Sequence, residues 1–343
     1  MRRLAGVVLA VGLLTAGCRS GAPGGPGTPG GPGAAGAANA NDDTGRLRVV
    51  TTVAPLTSIA ATIGGDRVRV TGLVPEGTNS HTFEPPPSAA EVLSEADLIL
   101  VNGLKLEDPT AELATENKRK DATIVALGDR VLPRGEWIFD FSFPEKDGKP
   151  NPHLWTDPNY AVRYAEVIAA EYARRDPDGT ATYDANLAAF RTSAGALGAA
   201  MVEAGKTVAR KELLTYHDGY AYFARDFGWT VLGAIQPSNF EEPTPREVTA
   251  LIEQIKERKV PAIFGSEVFP STVLAQIGNA TGAKYVDTLR DDDLPGEPGD
   301  PEHSWFGLMR FDFVTMVEAL GGDATALKAL PLPTTTDRAR YPQ

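Results

Sequence analysis

The chain carries only four imidazoles, at His81, His153, His217 and His303, and the surroundings of three of them suit metal chemistry. His81 lies in Asn79-Ser80-His81-Thr82-Phe83-Glu84-Pro85, and His153 in Asn151-Pro152-His153-Leu154-Trp155-Thr156-Asp157-Pro158; both stretches are turn-rich and lead into a helix. His217 follows the apolar run Leu213 to Tyr216 and precedes Asp218-Gly219. That is the carboxyl end of an expected strand, where open α/β sheets collect ligand-binding residues. Asp287 takes the equivalent place after Lys284-Tyr285-Val286. Two candidates fall in each half of the chain, so one cleft between the halves would gather all four. Three neutral imidazoles and a carboxylate suit zinc, manganese or another divalent transition ion, whereas calcium and magnesium want oxygen ligands throughout. Such a set carries about one negative charge and largely compensates a dication shielded from water. Each histidine taken singly reads as a loop residue satisfied by backbone hydrogen bonds.

The elements that must position these residues alternate. Arg46 to Val53 reads as a strand, Pro55 to Gly64 as a helix and Arg67 to Leu73 as a strand, and the rhythm continues through Ser88–Glu95 (helix), Leu98–Val101 (strand), Thr110–Asn117 (helix) and Ala122–Leu127 (strand). Pro158 to Arg175 and the Ala/Leu-rich stretch from Thr180 to about Lys206 read as consecutive helices. Alternation then resumes with strands at Leu213–Tyr216, Thr230–Ile235, Pro261–Gly265 and Lys284–Val286, separated by helices and closed by a helix over Ser304–Leu320. The expected fold is α/β: two lobes, each with a mostly parallel sheet flanked by helices, joined by one long rigid helix. The expected boundaries are an amino-terminal lobe at 46–157, a helical segment at 158–207, a carboxy-terminal lobe at 208–325 and a tail at 326–343.

Composition narrows the classes of function. Among 343 residues, 33 basic against 45 acidic side chains leave a formal charge of -12, which argues against nucleic acid or an anionic surface bound through a basic face. A single Cys excludes an intrachain disulfide, a multi-cysteine zinc module and an iron–sulfur site. That Cys has a place of its own. Arg2 and Arg3 precede an apolar run from Leu4 to Leu14, too short for a spanning helix, which reads as an export signal over 1–18. The run ends in Leu14-Thr15-Ala16-Gly17-Cys18, which resembles a bacterial lipobox and makes Cys18 the expected lipid attachment point. Residues 19–45 are almost entirely Gly, Pro, Ala, Thr, Ser and Asn and read as a disordered tether.

The stretches around His81, His153 and His217, with Tyr183-Asp184-Ala185-Asn186 opening the long helix and Met309-Arg310 in the last one, resemble the zinc- and manganese-binding solute receptors of bacterial ABC importers, the cluster A-I family. The likeness runs from about Leu47 to Leu320. It implies two α/β lobes joined by a rigid helix, with the metal held between them by His81, His153, His217 and Asp287. Manganese-selective members usually have Glu at the third position, so His217 tilts the reading towards zinc; members with the same His, His, His, Asp set are known for both metals. The chain departs from many zinc receptors in lacking a His-rich loop between the first two ligands, since no His lies between Leu104 and Pro150.

The resulting expectation is an extracytoplasmic, lipid-anchored, monomeric receptor that captures Zn2+, or alternatively Mn2+, and delivers it to the membrane permease of an ABC importer without turnover. The rival readings are a secreted zinc hydrolase and a metal-free binder of an organic solute or chelate. Glu267, after the strand Phe264-Gly265-Ser266, is a candidate acceptor for the outer nitrogen of a ligand imidazole. His303 reads as a residue at the start of the last helix. The acidic run Asp291, Asp292, Asp293, Glu297, Asp300 and Glu302 reads as a solvated surface. Because imidazoles must be neutral to bind, metal affinity is expected to fall as the pH drops through about 6.

Overall fold

Strand β1, Leu47–Thr51, holds two adjacent β-branched residues, Val49 and Val50, that are buried on opposite faces. Both burials are needed because helices cover both faces of the sheet to which β1 belongs. The computed structural model describes residues 45–236, 243–266, 272–333 and 339–342; Cys18 with the expected signal and tether, and Glu267, lie outside the described residues. The remaining strands are β2 (Val68–Gly72), β3 (Leu98–Val101), β4 (Thr123–Ala126), β5 (Glu212–Thr215), β6 (Thr230–Ala234), β7 (Ala262–Ser266) and β8 (Lys284–Leu289). The helices are α1 (Ala54–Gly64), α2 (Ala89–Glu95), α3 (Asp108–Asn117), α4 (Leu127–Val131), α5 (Pro158–Arg175), α6 (Thr180–Thr207), α7 (Ala221–Phe227), α8 (Pro245–Arg258), α9 (Thr272–Thr281), α10 (Trp305–Ala319) and α11 (Thr325–Lys328).

The strands form two parallel sheets of four, ordered β2-β1-β3-β4 and β6-β5-β7-β8, so the same topology occurs twice. The period of two along the central strands sorts side chains into distinct layers. Val50, Ile99 and Val101 face a small core closed by Leu93 and Ala114 of α2 and α3. Leu214 and Ile263 face another, closed by Ile255, Leu274 and Ile277 of α8 and α9. The opposite faces, with Val49, Leu98 and Leu100 from one sheet and Leu213, Ala262 and Phe264 from the other, share one continuous core with α1, α5, α6 and α10. The halves are therefore welded through a common apolar layer as well as by the chain that connects them.

Helix α6 has 28 residues and spans about 42 Å at 1.5 Å per residue. Tyr183, Leu187, Phe190, Ala194, Leu197 and Met201 recur at three- and four-residue intervals and are buried, which lays one stripe of the helix along the shared core. Arg67 clasps Asp176 through two 2.7 Å hydrogen bonds, and the Tyr183 hydroxyl donates to the same carboxylate at 2.6 Å, fixing the turn before α6.

Three features differ from the sequence expectation. Strand β8 continues three residues past Val286, with a register irregularity against β7, where Phe264 pairs with Val286 but Ser266 pairs with Leu289. The stretch after β4 contains the short α4. The segment expected as a tail begins within α11, and Arg340 joins the edge of β2: its amide donates to Val70 O and its carbonyl accepts from Gly72 N, both at 2.9 Å.

Candidate metal centre

His81 sits in the loop between β2 and α2, its amide donating to Asn79 Oδ1 at 2.9 Å, an Asx-type turn that sets the direction of the side chain. His153 precedes a single turn of tight helix that runs into α5, whose start is capped by Asp157 accepting from Asn159 N at 2.7 Å. His217 stands two residues beyond the end of β5. Despite these separate origins the three rings meet. His153 Nε2 lies 3.2 Å from His81 Nε2 and 2.8 Å from His217 Nε2. Among the described residues these three side chains form the cluster of potential metal ligands, with all three ligand atoms within 4.8 Å of one another.

Burial determines their protonation. His153 and His217 are buried and His81 is partly exposed. Desolvation pushes the pKa of His153 well below the ordinary imidazole value, and the positive charge His217 and His81 would carry pushes it further. His81 is lowered well below that value by desolvation, by His217 and by Lys149. His217 is lowered by desolvation against the opposing pull of Asp291 and a hydrogen bond with Gln236. All three rings are therefore neutral near pH 7, the form that offers lone pairs to a cation.

Asp287 is not brought to this cluster. It lies exposed in β8, because the strand runs on to Leu289 with its extra residue opposite β7. The carboxylate beside the histidines is Asp291, two residues after β8, with Oδ2 at 3.6 Å from His217 Nε2. Its other oxygen accepts from Ser266 Oγ at 2.9 Å, and its backbone carbonyl accepts from the Trp155 indole N–H at 2.8 Å. Asp291, Asp292 and Asp293 are all buried, so the first half of the acidic run is interior and only the stretch from Gly296 to Glu302 is solvated. Asp292 accepts from Ser80 Oγ and Asp293 from Gly77 N, joining the loop that carries His81 to the loop that carries Asp291. His303 is buried away from the cluster, with Glu76 Oε1 at 3.5 Å and the Tyr341 ring edge-on at 4.6 Å.

Phe143 closes the group from the amino-terminal side, its ring centroid 5.4 Å from His81, 5.7 Å from His153 and 6.0 Å from His217. A cavity of about 60 Å³, lined by His81, Leu104, Phe143, Lys149 and Pro152 among others, leads to His81. Three neutral imidazoles with a carboxylate beside them form a nitrogen-rich donor set of the right chemistry for a transition ion.

Comparison with known proteins points the same way. Residues 49–319 match the ZnuA family, described as zinc-uptake complex component A, periplasmic. The chain belongs to that family. It is 27% identical over 316 residues to the manganese-binding lipoprotein MntA of Halalkalibacterium halodurans, covering 92% of this chain and 97% of that protein. It is 29% identical to the iron-binding protein YfeA of Yersinia pestis, covering 82% and 89% respectively. Among solved structures, the periplasmic zinc binding protein TroA from Treponema pallidum superposes with a TM-score of 0.73 at 25% identity, covering 80% of this chain and 99% of that one. The expected two-sheet α/β architecture and the family suggested by the histidine motifs are thus both found. Sequence reasoning did not select Asp291, Ser266 or Phe143, and it quoted Asn151 and Trp155 only as neighbours of His153.

Proposed function

We propose that this chain captures a divalent transition metal at His81, His153 and His217, with Asp291 supplying the fourth donor, and hands it to the membrane permease of an ABC importer. The observation that carries this reading is the convergence of three buried-to-half-buried Nε2 atoms contributed by three separate loops. The family to which the chain belongs is a transport component, and relatives are named for zinc, manganese and iron. Three imidazoles to one carboxylate form a borderline, nitrogen-rich set, which supports zinc over the harder manganese ion as cargo. Manganese is the alternative. The protein works outside the cytoplasm as a monomer, held to the membrane by a lipid on Cys18, in keeping with the lipoprotein names of several relatives.

Elemental analysis and native mass spectrometry of protein purified without chelator test the reading, with one zinc per chain expected. Competitive titration with zinc and manganese then ranks the two. Wild-type protein that takes up neither ion would sink it. Replacing Cys18 with Ser should move the protein from the membrane fraction to the soluble one; unchanged membrane retention would remove the anchor.

A further inference from the structure

Asn151, two residues before His153, is fully buried, and every polar atom of its side chain and backbone is engaged. Its side-chain oxygen accepts from the His153 amide at 3.0 Å, and the same oxygen stands 2.9 Å from His153 Nδ1. A backbone amide can only donate, so the atom facing it must be the oxygen, and His153 Nδ1 must then carry the proton. That assignment leaves the lone pair on Nε2, the nitrogen facing His81 and His217.

The amide nitrogen points the other way. It donates to Asp140 Oδ2 at 2.8 Å and to the backbone carbonyl of Asp218 at 2.7 Å. Asp218 is the residue after His217, so this second bond ties the segment carrying one imidazole to the segment carrying another, across the junction of the two sheets. Asp140 in turn accepts from the amides of Ser142 and Phe143, each at 3.0 Å, and so sets the turn that lays Phe143 over the rings. The main chain of Asn151 completes the joint: its N–H donates to Ile138 O at 2.9 Å and its carbonyl accepts from the Tyr222 hydroxyl at 3.0 Å.

One acceptor facing two donors and two donors facing two acceptors match an amide. A carboxylate here would keep the bond to His153 but set an oxygen against Asp140 Oδ2 and the Asp218 carbonyl, losing both donors. A methyl group would lose every side-chain bond.

We propose that Asn151 is the positioning residue of the metal centre: it holds His153 in the Nδ1–H tautomer and locks His153, His217 and Phe143 into one unit. This rests on the metal-capture reading for its purpose, and on the hydrogen bonds alone for its geometry. Outer partners of metal-bound imidazoles typically change affinity by 10–100-fold.

The test pairs two readouts. In metal-free protein, nitrogen NMR of the histidine rings reports the tautomer of each imidazole, and chelator competition gives the zinc affinity. Asn151→Ala should release His153 from the Nδ1–H form and weaken zinc binding by roughly 10–100-fold. Asn151→Asp should retain the Nδ1–H form, because an acceptor remains, while still weakening binding through loss of the Asp140 and Asp218 bonds. An Asn151→Ala protein with the wild-type tautomer and wild-type affinity would overturn the proposal. Should that variant fail to fold, Asn151→Asp decides: His153 found in the Nε2–H form would overturn it equally. Wild-type protein that binds no zinc would instead count against the metal reading, with the tautomer measurement still deciding the role of Asn151.

Discussion

The two sheets share one strand order, yet they deliver their chemistry differently. In the carboxy-terminal half, His217 and Asp291 each stand two residues beyond a strand end, so the sheet itself aims them. In the amino-terminal half, His81 and His153 lie far from the strand ends, on loops where they donate hydrogen bonds to the side-chain oxygens of Asn79 and Asn151. The sheets also differ in regularity. The amino-terminal pairings run without interruption, whereas β5 against β6 and β7 against β8 both contain a register shift. The difference teaches that a repeated topology supplies a cleft but does not dictate how ligands reach it. One half relies on strand geometry, the other on polar networks between loops.

Removing an imidazole is the strongest way to probe this comparison. His153→Ala and His217→Ala should each lower zinc affinity by more than the roughly 100-fold limit typical of an outer partner, read by chelator competition. Similar losses for the two would show that loop-borne and strand-borne ligands are equally well held.

The next test concerns the register shift. Asp291→Ala, which deletes the proposed fourth donor, should weaken zinc binding by at least the roughly 10-fold minimum typical of an outer partner, while Asp287→Ala should leave affinity unchanged and stability within about 0.5 kcal/mol. The reverse pattern would return the fourth ligand to Asp287.

Acidification sharpens the comparison further. The three imidazoles have depressed pKa values in the folded protein, so they remain neutral below the ordinary histidine range, and protons compete with metal only at lower pH. Affinity should therefore hold from pH 7 towards 6 and fall below that, later than an unperturbed imidazole set would give. A loss centred at pH 6.5 or above, measured by titration at fixed ionic strength, would show that burial does not govern the site.

An effect on stability is expected for Trp155→Phe, which keeps the ring against His153 but deletes the N–H bonded to the Asp291 carbonyl. Leaving that buried acceptor unsatisfied should cost about 1–3 kcal/mol in unfolding free energy, measured by denaturant titration.

Much of this protein was legible in local pattern. Periodicity of two in Val68–Gly72 and of three to four in Thr180–Thr207 reflects which face of a strand or helix meets the core, and the alternation of such segments specifies a parallel α/β fold. The loop motifs around His81 and His153 and the strand end before His217 marked the imidazoles for the same reason: turn chemistry and strand termini are written in neighbouring residues. The fourth carboxylate was not marked. One extra residue in β8 moves every side chain after it, and that irregularity depends on pairing with β7, some twenty residues earlier in the chain. The acidic run was misread on similar grounds, since Ser80 and Gly77, which take Asp292 and Asp293 inside, are more than two hundred residues away. Sequence by itself determined the layers, the long helix and the three candidate imidazoles, because those rest on contacts within a few residues. Tertiary structure alone decided which aspartate faces them, which amide holds His153 and what is buried beside them, because hydrogen bonds between distant segments exist only once both sheets have packed on their common core.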